Sequence, residues 1–241
     1  MPSPAIADLS TLHAIVPARG SGVGKSRLGE ALDAEERLTL VVGMLLQTLE
    51  VLAAWPACRS IHVVTADAQL RRLVRSSTTA AAVMTESQPS GLNSALRDGR
   101  EKAVRSGATA ILYLPADLPY LTTVALDRML EAADAALAAG SGLPLVVIAP
   151  ADARVGTNAL LVAPPDTIDP HFGEVSLEAH IRAAAHADAS LQLVHDPALA
   201  FDLDTPDDLE RLETARLLEL QAAGQKALDA LHDRVATAEV A

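Results

Sequence analysis

The sequence predicts an α/β fold, a mostly parallel mixed sheet flanked by helices. Three observations carry it. Short apolar runs alternate with helical stretches over the first 150 residues or so, the pattern of a parallel sheet with helices on both faces. The run Ile111–Leu114 has the length of a buried strand and stops at Pro115, leaving Asp117 between Pro115 and Pro119. A second acidic pair, Asp202 and Asp204, stands where an extended stretch hands over to a helix.

Taken in order, Leu12–Pro17 (LHAIVP) reads as the first strand. It runs into ARGSGVGKSRL, residues 18–28, where glycines let backbone N–H groups approach an anion and Arg19, Lys25 and Arg27 neutralise it. Arg19, Gly20 and Lys25 are therefore candidate nucleotide-binding residues. A true P-loop would place glycine at position 19, and Gly20 stands one residue too close to the GKS. Asp33–Glu36 has the capping-box pattern before a helix over Arg37–Ala53. Ser60–Thr65 is a strand, Ala68–Arg75 a helix, and Ala81–Met84 a weaker strand. Gly91 turns the chain into a helix ending near Gly107, and a helix start at the carboxyl edge of a sheet suits a nucleotide's base or ribose. Asn93 offers a donor and an acceptor for a base edge, or serves as an ordinary cap.

After the central strand, Thr122 or Thr123 caps a helix to about Ala139, and Leu145–Ala149 is a further buried strand. Val155–Asn158 opens a strand over Ala159–Ala163. Gly173 and Ser176 fall at the start of a helix running to about Ala187, where free N–H groups make an anion site and Ser176 is the expected cap. His180, one turn further in, reads as a packed or solvated histidine rather than a catalytic one. Leu191–His195 is the last strand. Asp202 and Asp204, two apart on an expected strand, project from the same side, so their repulsion calls for a divalent cation. Thr205, Pro206 and Asp208 then fit N-cap, N1 and N3 of a helix. Opposite Asp117, this pair would complete an all-oxygen site of the kind Mg²⁺ accepts. The leucine- and alanine-rich stretch over 209–231 reads as one long or two short packed helices, or a homodimer contact.

The bulk numbers set limits. Half of the 241 residues are hydrophobic but only 2% aromatic, so the core is built of Leu, Val, Ile and Ala. A net charge of -12 argues against nucleic acid or an anionic membrane as main partner. No apolar run reads as long enough to span a bilayer. The single Cys58 excludes an internal disulfide framework and fits a reducing cytoplasm. The expected organisation is a flexible leader over 1–10, one domain over 11–215 and a helical extension over 216–241.

Together, VPARGSGVGKSRL, GLNSALRDG, LPADLPYL, VGTNALL, HFGEVSLEAH and FDLDTPDDL resemble the guanylyltransferases that act on phosphoenolpyruvate or 2-phospho-L-lactate in coenzyme F-420 biosynthesis. The resemblance spans residues 12 to 212. It implies a nucleotide-diphospho-sugar-transferase-like fold of GT-A type that uses GTP and Mg²⁺. It implies metal binding by Asp117 and Asp202, with Asp204 beside it. Thr157, Gly173 and Ser176 would hold the phosphorylated acid, and Lys25 and Arg27 would meet the triphosphate. With Asp117, those two cations are the expected catalytic set. Phosphoenolpyruvate is the favoured acid over 2-phospho-L-lactate and 3-phosphoglycerate. The rival readings are another nucleotidyltransferase of this fold, molybdopterin-type guanylyl or cytidylyl, and a GTP-binding protein without turnover.

Overall fold

The computed structural model describes residues 7–19, 25–77, 81–85, 91–140, 142–152 and 155–239. Seven strands form one sheet: β1 (Leu12–Pro17), β2 (Cys58–Thr65), β3 (Ala81–Thr85), β4 (Ala110–Tyr113), β5 (Leu145–Pro150), β6 (Thr157–Ala163) and β7 (Ser190–Leu193). Their spatial order is β3-β2-β1-β4-β6-β5-β7. All neighbouring pairs are parallel except those of β6, which runs against both β4 and β5. The fold is therefore the mostly parallel mixed sheet that the alternation predicts, with one reversed strand.

The helices among the described residues begin with α1 (Ala34–Ala54), α2 (Ala68–Ser76), α3 (Leu92–Arg105), α4 (Thr123–Ala138), α5 (Ser176–His186), α6 (Pro197–Ala200) and α7 (Pro206–Arg211). The last, α8 (Thr214–Glu239), completes the set, and a 3-10 turn spans Ser26–Glu30. The expected caps form: Asp33 with Glu36, and Thr205 with Asp208, close reciprocal capping boxes, and Thr122 accepts from Ala125 N–H. Ser176 differs. It is the first residue of α5 rather than its cap, and its hydroxyl is used elsewhere. The segment around Asp202 and Asp204 is extended but is not a ladder strand.

Alternation along β4 sorts its side chains between two cores. Leu112 joins Val16, Val147 and Leu161 under α1 and α4, while Ile111 and Tyr113 join Val146, Ile148 and Leu160 under α3 and α5. A third cluster lies off the sheet: Leu28, Leu40, Met44, Leu203, Leu212 and Leu220. Contrary to the sequence expectation, α1 is long and apolar enough to cross a bilayer by length and composition. In the fold it is half buried, giving Val42, Leu45 and Leu49 to the first core and Leu40 and Met44 to the third.

The helix expected as an extension past residue 215 is α8, which begins at Thr214 and lies along α1. Two helix-interior glycines permit the contact. A methyl group on Gly43 would overlap the Leu220 carbonyl, and one on Gly224 would overlap the Thr39 carbonyl. Backbones can meet this closely only without a Cβ. Overpacking such a contact costs about 1–3 kcal/mol, so Gly43→Ala or Gly224→Ala lowers Tm by roughly 2–12 °C. Thermal unfolding checks this, and an unchanged Tm removes the close crossing.

His13 on β1 and His62 on β2 are buried, with Nδ1 of the first 3.0 Å from Nε2 of the second. Burial lowers both pKa values, aided by Arg59 at His13 and by His13 at His62, which falls to about 4. The folded state keeps these rings neutral, so the unfolded chain takes up protons first as the pH drops. Their contribution is complete above about 6.5 and is lost as pH falls through about 4. Unfolding measured against pH should show stability declining over that window, and less so in His62→Phe.

Candidate active site

The proline-stiffened turn after β4 is held from two sides. Gln47 of α1 donates to the Pro119 and Leu121 carbonyls, and Arg216 of α8 donates to the Pro119 carbonyl at 2.8 Å. This fixes Asp117 at the carboxyl edge of the sheet, on the floor of a cleft of about 750 Å³. Leu203 N–H donates to the Asp117 carbonyl at 3.0 Å, drawing the distant acidic segment alongside. Leu203 is fully buried in the third core, so its neighbours Asp202 and Asp204 both face the cleft. Leu28 packs in that same core and sets Lys25 in the cleft beside Asp117. Lys25 stands at φ 60°, a conformation costly for a residue with a Cβ and one that recurs at functional sites.

The Lys25 ammonium lies between two carboxylates, 2.7 Å from Asp117 Oδ2 and in contact with Asp204 Oδ1. Burial alone would depress its pKa, but the charges of Asp117 and Asp204 outweigh burial and hold it above the ordinary value. Asp202 is the reverse case. Burial, then the nearby Asp117 charge, raises its carboxyl to about 6. Asn158 donates to Asp202 Oδ1 at 3.2 Å and to the Leu199 and Ala200 carbonyls, fixing the segment that carries Asp202. Asn158 stands in the VGTNALL motif, yet residue type alone did not single it out.

The three aspartates thus converge, but not as the expected three-carboxylate metal site. Among the described residues no group of three acidic or histidine side chains is spaced to hold one ion. The reason is Lys25, which takes Asp204 and one oxygen of Asp117. The other oxygen, Asp117 Oδ1, is buried and has no hydrogen-bond partner among the described residues. It lies close enough to Asp202 for their charges to interact. An unpaired buried carboxylate oxygen beside a carboxylate of raised pKa is a donor set that fits a hard divalent cation.

The reversed direction of β6 brings its start, Thr157, to the same edge, since Tyr113 pairs with Leu160. Thr157, Gly173 and Ser176 meet at one end of the cleft. Thr157 N–H donates to Ser176 Oγ at 2.8 Å, which leaves the serine proton for a ligand. Gly173 has φ 152°, and a Cβ is disfavoured there.

Arg19 and Arg27 line the cleft as exposed cations, and Gly20 lies outside the described residues. Of the turn at 91–93, Leu92 is the residue that lines the cleft. Gly91 takes φ 94° at the N-cap of α3, and Asn93 is committed elsewhere. Its Nδ2 donates to the Phe172 carbonyl at 2.9 Å and its Oδ1 accepts from Phe172 N–H at 2.8 Å. Each end of the amide carries one bond to Phe172, so Asn93 positions the loop before Gly173.

Known proteins resemble this chain in sequence and in fold. A phosphoenolpyruvate guanylyltransferase of Rubrobacter xylanophilus is 38% identical over 205 residues, covering 85% of this chain and 95% of that one. A 3-phospho-D-glycerate guanylyltransferase of Phenylobacterium zucineum is 36% identical over 210 residues, covering 85% of this chain and 89% of that one. Among solved structures, a nucleotide-diphospho-sugar transferase of Desulfovibrio desulfuricans superposes with a TM-score of 0.66 at 17% identity, covering 90% and 97% of the two chains, a likeness of fold. Residues 12–215 match the family described as guanylyl transferase, CofC-like, and the chain belongs to that family of nucleotidyltransferases.

Proposed function

We propose that this chain transfers GMP from GTP to a small phosphorylated acid, phosphoenolpyruvate first among them, and releases pyrophosphate, a reaction that serves coenzyme F-420 biosynthesis. The observation that carries the reading is the juxtaposition of Asp117, Asp202 and Lys25 with the hydroxyl pair of Thr157 and Ser176 in one cleft. Relatives that act on phosphoenolpyruvate and on 3-phosphoglycerate support it at similar identity.

The chemistry asks little of acid–base groups. The phosphate oxygen of the acid is already anionic near neutral pH. It attacks the α-phosphorus of GTP, and the bond to the bridging oxygen of pyrophosphate breaks. The obstacle is bringing two polyanions together in line. Thr157 and Ser176 hold the acid by hydroxyl donors, with the start of α5 behind them. Arg19 and Arg27 draw in the triphosphate. Its oxygens compete with Asp117 and Asp204 for Lys25, whose flexible stem lets the ammonium pass from carboxylate to leaving group. Asp117 and Asp202 would hold Mg²⁺, which when bound would supply charge neutralisation for the two phosphate groups. Asp204 keeps Lys25 in place until the nucleotide arrives.

Purified protein incubated with Mg²⁺, GTP and each of phosphoenolpyruvate, 2-phospho-L-lactate and 3-phosphoglycerate should release pyrophosphate and one GMP–acid adduct, read by mass spectrometry. Phosphoenolpyruvate should give the highest kcat/KM. Turnover with CTP in preference to GTP, or release of orthophosphate in place of pyrophosphate, rejects the proposal.

Asp117→Asn, with an unchanged circular dichroism spectrum, should lower kcat by roughly 10²–10³-fold, the scale of losing one preorganised electrostatic group. Turnover within about threefold of the parent, far short of that loss, would remove Asp117 from the chemistry.

A further inference from the structure

His180 has no exposed surface and touches none of the residues that meet a nucleotide in the reading above, yet both of its ring nitrogens are committed. Nε2 accepts the backbone N–H of His171 at 2.8 Å. A backbone N–H can only donate, so Nε2 carries no proton. The proton of the neutral ring then sits on Nδ1, a tautomer assigned from the hydrogen-bond network. Nδ1 stands 3.0 Å from Thr157 Oγ1, and with the proton on the nitrogen it donates to the threonine oxygen.

We propose that His180 is a positioning residue whose locked Nδ1–H tautomer makes the Thr157 hydroxyl a donor to the acid's anionic group. A free threonine hydroxyl turns either way, presenting a lone pair or a proton. Here the side facing His180 is occupied by a donor, and the hydroxyl proton remains for the cleft, which Thr157 lines. Ser176 is set by the same logic through Thr157 N–H. The result is two neighbouring hydroxyls that offer protons to an anion. His180 also holds the loop itself, since the His171 N–H it accepts lies two residues before Gly173.

The arrangement requires that the ring stay neutral. Burial lowers its pKa to about 4, with His171, the titratable ring facing it at 6.0 Å, acting in the same direction. Phe172 closes the remaining side edge-on at 5.2 Å. The Nδ1–H tautomer therefore persists throughout the neutral range.

The inference rests on the reading that Thr157 meets the acid, and the tests separate the two. In the unmodified protein, ¹⁵N NMR of the histidine rings should show His180 protonated at Nδ1 and not titrating between pH 8 and 5.5, a range above its lowered pKa. An Nε2–H tautomer, or a midpoint near the ordinary value, overturns the relay with no variant needed. His180→Phe keeps a ring but loses both bonds. It should raise KM for the acid by roughly 10- to 100-fold, the loss of a hydrogen bond to a charged ligand, with KM for GTP changed less than about twofold. Thr157→Val should do the same, and the double variant should be no worse than either single one. Additive losses, or an unchanged acid KM in His180→Phe, overturn the relay while guanylyl transfer stands. Failure of the unmodified enzyme to use any of the three acids overturns the functional reading, and the assignment of an acid to Thr157 with it, whatever the tautomer.

Discussion

The site depends on one cation placed between two anions. Without Lys25, Asp117 and Asp204 would face each other across a half-buried cleft with Asp202 close by, three like charges with little water to separate them. The ammonium resolves the repulsion at two of the three. The third, Asp202, is pushed up to about 6, first by burial and then by the Asp117 charge. Such an arrangement is stable but unfinished. One Asp117 oxygen is buried and has no partner among the described residues, which is costly unless something uses it. The lysine takes Asp204 and one oxygen of Asp117, and the donors left over suit a divalent cation.

That cluster exists because the backbone and the apolar core bring it together. Leu203 and Leu28 have no polar function, yet they carry the aspartates and the lysine into register by sharing one small core with α1 and α8. The bond from Leu203 N–H to the Asp117 carbonyl adds the fixed distance that a shared core alone would not supply. Reversal of β6 does the equivalent for the acid end. A parallel β6 would start at the opposite edge of the sheet, and Thr157 would lie a full strand length from Asp117.

Much of this was legible from the chain. Asp33, Thr122 and Thr205 announce their helices because capping is a local interaction between residues two or three apart. Asp202 and Asp204 share a face because alternation is a property of extended backbone. What escaped was everything settled at long range. Asn93 read equally as a base reader or an ordinary cap, because nothing in GLNSAL shows that Phe172, 79 positions on, would bond to both ends of its amide. His180 read as packed or solvated because its partners, Thr157 and the His171 backbone, are fixed only by the tertiary fold. Lys25 was read as a phosphate ligand, and its present partners, two aspartates, could not be read from a glycine-rich loop. Gly43 and Gly224 were a readable sign that passed unread. Glycine inside a helical pattern is unfavourable unless another backbone needs the space, and here α8 does.

The loop at His171–Gly173 shows why these long-range ties matter for chemistry. Asn93 of α3 holds Phe172 by both backbone groups, and His180 of α5 holds the preceding N–H. Gly173 then takes a backbone conformation open chiefly to glycine. The ties from Asn93 and His180 on two consecutive residues leave the loop little freedom to give up when an anion binds. Donors that are already aimed do not have to be reorganised as charge moves from one phosphate to another, and electrostatic assistance of this kind is effective because its ordering cost is met during folding. The buried side chains around the cleft act on the reaction without touching it: they hold hydroxyls, a lysine and two carboxylates where two repelling phosphates must meet.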